Sequence, residues 1–114
     1  MLSHALSVLL VMAVGKADPV DTARKALNNC LIEQHNKAVE AKKTSADFNK
    51  IVMESCITER ATYHDVTVKA ERGYGSNAND AEQYANEEVQ NVVSGIITSF
   101  ENNMKSGAKL SPEK

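Results

Sequence analysis

A chain of 114 residues with 4% aromatic residues and no tryptophan has room for one domain, whose core must come from aliphatic side chains, Ala and Met. Its formal charge of −2, with both signs interspersed, offers no basic face to neutralise phosphates, which excludes nucleic acid as the expected partner. No run of Lys or Arg suits an anionic membrane surface either.

Residues 5–14 form an apolar stretch too short to cross a bilayer as a helix. Gly15 and Ala17 then place small residues at positions −3 and −1 of a cut before Asp18, as a signal peptidase requires. The expected organisation is a signal peptide over 1–17, a single helical domain over 18–106 and a flexible tail over 107–114. No Cys follows the apolar run to take a lipid, so the mature chain is expected to carry no stable membrane anchor. The expected location is periplasmic or extracellular, an oxidising setting in which two lone cysteines pair.

The mature part reads as all-α, with three long helices. The first spans about 19–42: Pro19 suits a first turn, and Leu27, Cys30, Leu31, Gln34, Ala38 and Ala41 recur at spacings of three and four. Glu33 and Lys37 form an outward i,i+4 pair. Thr44 to Asp47 supplies a hydroxyl cap and an early acid for the second helix. That helix carries Phe48, Val52, Ser55/Cys56, Glu59, Tyr63, Val66 and Ala70 as one run ending near Gly73 and Gly75. Asn77 and its polar neighbours cap the third, where Val89, Val92, Val93, Ile96, Ile97, Phe100 and Met104 make a broad apolar band.

Cys30 and Cys56 lie thirteen residues either side of Lys43, so a hairpin reversing there sets the two sulfurs level. A disulfide between mid-helix cysteines is expected, stabilising by about 3.5 kcal/mol in the chain-entropy model. The same mirror logic about the second reversal puts Cys56 opposite Gly95, whose missing side chain would let helix three pass over the disulfide. The first hairpin, about Lys43, sets His35 opposite Ile51 and His64 near Thr22, too far apart to share a metal.

Catalytic signatures are sparse. No metal-binding or covalent haem spacing occurs around the histidines, and Met53 and Met104 at helical spacing read as core rather than haem ligands. Asn77, Asn79 and Glu88 fall at calcium-loop positions 1, 3 and 12, but Ala81 and Glu82 occupy places that need a ligand and a glycine. His64 and Asp65 are helix neighbours that diverge by about a hundred degrees, which argues against a catalytic pair. Neither an enzyme nor a cofactor is expected.

Leu27-Asn28-Asn29-Cys30-Leu31, then Lys43-Thr44-Ser45-Ala46-Asp47-Phe48, then Ser55-Cys56-Ile57-Thr58-Glu59 resembles uncharacterised small exported helical proteins of Gram-negative bacteria. These have one Cys in each arm of a helical hairpin. The resemblance covers about residues 20–65 and implies an architecture and a compartment, the periplasm, without an activity.

The expected role is a non-catalytic protein-interaction module, with Tyr63, His64 and Tyr84 as the candidate surface. A second copy of the chain is a candidate partner, since long helices with few aromatics bury leftover apolar faces against themselves. The rival expectation is a carrier of a small apolar ligand in a cleft lined by Met53, Val92, Ile96 and Phe100.

Overall fold

The computed structural model describes residues 18–114, so the expected signal peptide lies outside the described residues. These residues form helices α1 (Pro19–Glu40), α2 (Ser45–Glu54), α3 (Ile57–Gly73) and α4 (Ala78–Asn103), with no strand among them. The class is all-α, but the expected second helix is two helices.

Helix α1 starts where Asp18 accepts the Val20 N–H at 3.0 Å and Pro19 takes the first helical position, where no N–H is needed. It stops at Lys42, whose φ of 56° is left-handed and reverses the chain. Thr44 and Asp47 then close a reciprocal capping box, 3.1 Å one way and 3.2 Å the other. Hydrogen bonding to Thr44 holds the Asp47 carboxyl below its ordinary value.

The break after α2 has a physical cause. Packed helix axes lie 8–10 Å apart, whereas a disulfide draws its Cα atoms to within about 7 Å. Ser55 turns extended and Cys56 adopts a left-handed φ of 58°, and the Cα atoms of Cys30 and Cys56 come to 6.0 Å. The disulfide forms as expected, but Cys56 stands at the head of α3 rather than in mid-helix. Carbonyls left open at the end of α2 find other donors: Ser55 Oγ bonds to Ile51 at 2.5 Å, and the Arg60 guanidinium bonds to Val52. A left-handed Gly75 (φ 102°) makes the next turn, and Asn77 caps α4 by accepting the Asp80 N–H at 2.9 Å.

Leu27, Leu31, Phe48, Val52 and Phe100 are fully inaccessible, with Ile32, Val39, Tyr63, Val93 and Ile96 around them. Phe48 stacks on Phe100 with centroids 4.3 Å apart, so α2 and α4 meet over α1. Val89, Val92, Ile97 and Met104 flank this core, completing the band read on α4. Gly95 does not serve the disulfide: it is exposed, and a Cβ there would meet nothing within 4 Å. The mirror about Lys43 continues past Cys56, where Val20 and Val66 line one pocket. About the second turn, however, His64 meets Glu82 rather than Glu87, so that register is shifted and Gly95 does not face Cys56.

Gly107, at φ 78°, turns the chain, and residues 108–114 return along α1. The reason is a set of polar side chains on α1 that satisfy the backbone of the segment.

Candidate functional site

Asn29 and Asn36 stand seven residues apart on α1, two turns or about 10.5 Å. The Asn36 side chain accepts the Leu110 N–H and donates to the Leu110 carbonyl, both at 2.9 Å. Asn29 repeats the pattern on Glu113, accepting its N–H at 2.8 Å and donating to its carbonyl at 3.0 Å. Each carboxamide thus pairs one residue of extended chain as a neighbouring strand would. Three residues of extended chain span about 10 Å, so the helical and extended repeats fall into register.

Side chains at the two gripped positions are read as well. Leu110 packs against the edge of the core. Glu113 takes two parallel bonds from Arg24, each 2.9 Å, and one from Asn28 at 2.6 Å. Asp21 buttresses the guanidinium at 3.2 Å. Bonding to Arg24, ahead of that to Asn28, holds the Glu113 carboxyl below its ordinary value, and Glu113 in turn raises Arg24. Ser111 and Pro112 between them are exposed.

Behind this seam lies a buried polar relay. His35, with no accessible surface, sits edge-on to Phe48 and Phe100 at 6.4 and 6.0 Å. Its Nδ1 is 2.8 Å from Asn36 Oδ1, and its Nε2 is 3.2 Å from Asn103 Nδ2. Since the Asn103 amide donates, the network assigns the proton to Nδ1, which donates to Asn36. That bond fixes which end of Asn36 is the acceptor, and so which way it meets Leu110. His35 therefore faces Asn36 and Asn103 in the core.

Alongside the segment runs an open groove of about 440 Å³, lined by Asn29, Ile32, Glu33, Asn36, Lys37 and Glu40 of α1 with Pro112. Sequence reading missed this whole site. The available signal was the pair Asn29 and Asn36 at heptad spacing beside the apolar stripe, matched by Leu110 and Glu113 three apart.

The three residues expected to form an interaction surface do not share one. Tyr63 is buried, and burial first, then the Glu88 charge, pushes its phenol above the ordinary value. Tyr84 is exposed, and the Glu88 carboxylate, as hydrogen-bond partner and as charge, pushes it up to about 12. His64 lies between Asp65, 2.9 Å from Nδ1, and Glu82 of α4, 2.7 Å from Nε2. Helical divergence did not keep Asp65 away, because both side chains lie at the solvent rim of α3, where the carboxylate swings to the ring. Hydrogen bonding to Asp65, with Glu82 reinforcing it, raises the His64 pKa. The pair of carboxylates makes His64 a charged tie from α3 to α4.

The four residues expected to line an apolar cleft are dispersed. Ile96 and Phe100 are core, Val92 is half-buried at its edge, and Met53 is 69% exposed, so Met53 is not the core residue its spacing suggested. Met104 instead accepts from Ser45 Oγ at 3.4 Å. Among the described residues, Cys30, Cys56 and Glu59 bring potential ligand atoms within 4.8 Å of one another, but the sulfurs are joined and offer no thiolate. No described helix is long and apolar enough to cross a membrane.

Comparison with protein-family models, with curated proteins and with solved structures returns no match.

Proposed function

We propose that the chain is an exported, non-catalytic helical module that acts by binding polypeptide. The supporting observation is the face of α1 that holds an extended segment by its main chain, at Leu110 and Glu113, through two asparagines. Main-chain pairing of this kind is a recurring mode of peptide recognition. Export is supported by the disulfide, which persists in oxidising compartments, and by the signal-like pattern over residues 1–17. The likeness to small exported proteins of Gram-negative bacteria belongs to the same reading.

Cross-linking in cells that export the chain tests it. Recovery of the mature chain, beginning at Asp18, cross-linked to another polypeptide is the expected result. A purified chain that yields only a small apolar ligand on solvent extraction would overturn it in favour of a carrier.

A further inference from the structure

The geometry points to α1 as a receptor for an extended segment of a partner protein with the pattern Leu-x-x-Glu, which residues 110–113 occupy as a tethered stand-in. The inference rests on the interaction-module reading and names the chemistry of its partner.

Three features carry it. The Asn29 and Asn36 carboxamides bind main chain, so they accept a segment from any source that has an N–H at both gripped positions. Selectivity comes from the side chains: an aliphatic residue packs where Leu110 does, and a carboxylate three residues on meets Arg24 and Asn28. Proline falls at position 112, between the grips, where its missing N–H breaks no bond and its fixed φ favours the extended form.

The receptor side chains are themselves held by further partners. His35 orients Asn36 from inside the core, and Asp21 orients Arg24. The segment contributes one apolar side chain, Leu110, while Ser111, Pro112 and Lys114 are exposed. Segments with few buried apolar contacts open locally at low free energy while the body stays folded. Once it opens, the groove of about 440 Å³ beside Pro112 gives a partner contacts that the stand-in leaves unused.

Arg24 and Lys25 set the sign of the partner at its Glu end: Lys25 also donates to the Lys114 carbonyl at 3.1 Å, so both cations lie along this stretch. A tethered occupant competes at an effective concentration near the millimolar range, so a partner displaces it only by binding more strongly or reaching further along the groove.

The test uses the full chain carrying Leu110→Ala and Glu113→Ala, titrated with a fluorescein-labelled peptide of residues 108–114 and followed by polarisation. Saturable binding at least about tenfold tighter than to the wild-type chain is expected, because the site is no longer occupied in cis. Adding Asn29→Ala and Asn36→Ala, or using a peptide with Glu113→Lys, should abolish it. No saturable binding by a released chain that remains helical, or equal binding of a scrambled peptide, overturns the inference.

Should the released chain not fold, the wild-type chain still decides. Millimolar unlabelled peptide should move the Leu110 and Glu113 amide resonances toward their free positions, and unmoved resonances overturn the inference. Wild-type dimerisation that Glu113→Ala abolishes also overturns it, by making a second copy the occupant. Cross-linking to a partner through α3 and α4 while the peptide fails to bind α1 would sink this inference and leave the module reading standing.

Discussion

Two sides of α1 are covered in opposite ways. On one, Leu27 and Leu31 meet Phe48, Val52 and Phe100 in a dry, aliphatic and aromatic contact, closed by the Cys30–Cys56 bond. On the other, Asn28, Asn29, Asn36 and Arg24 meet a strand-like segment through hydrogen bonds that remain near water. The first cover is nondirectional and strong, and it fixes the fold. The second depends on direction and register, contributes less free energy and distinguishes one segment from another. One helix thus serves as both a structural element and a recognition surface because its polar stripe is spaced for an extended chain.

Substitutions separate the two sides. Phe100→Ala removes half of the aromatic stack and should cost about 3–5 kcal/mol in urea denaturation. A comparable loss from an exposed position such as Met53→Ala would contradict the core described. Replacing both cysteines by Ala should cost about 3.5 kcal/mol by the same measurement. An unchanged midpoint would mean that the bond constrains nothing in the unfolded chain.

On the polar side the effects are smaller and local. Asn36→Ala leaves the buried His35 Nδ1 without its partner and should cost about 1–3 kcal/mol, while Asn29→Ala, facing only the segment, should cost about 0.5–1.5. Equal costs would remove His35 from the account. Arg24→Ala should lower global stability by no more than about 1 kcal/mol, because the pair is partly exposed, while speeding amide exchange at Glu113.

Acid and base act at different places. Glu113 has a lowered pKa, so its contribution is present above the ordinary value of 4.5 and is lost as pH falls through the lowered one. His64 has a raised pKa, so the tie to Glu82 is complete below the ordinary 6.5 and lost as pH rises through the raised value. Amide resonances should therefore report release of the C-terminal segment on acidification, and loosening of α3 against α4 on alkalinisation. Release of the segment at high pH, with α3 and α4 unaffected, would reverse both assignments.

Apolar periodicity in the sequence announced the dry side well: the stripes on α1 and α4, the Thr44 and Asn77 caps and the cysteine pairing all follow from local spacing and chain reversal. The interruption at Ser55 and Cys56 did not, because neither residue breaks helices by propensity and the demand comes from Cys30, 26 positions away. Gly95 was misplaced because the second reversal is centred nearer Gly73 than the two flanking glycines suggested, as the His64–Glu82 pair shows, and Met53 because it faces solvent. The polar side was invisible for a different reason. Asparagines on a helix surface ordinarily meet water, and only residues 110–113, more than seventy positions on, give Asn29 and Asn36 their meaning.

Hydrogen exchange along residues 108–114 of the wild-type chain measures the two-point grip itself. Slow exchange at the Leu110 and Glu113 amides, with a fast Ser111 amide between them and both slow sites lost in Asn29→Ala/Asn36→Ala, is the expected result. Uniformly fast exchange across the segment at neutral pH would contradict it.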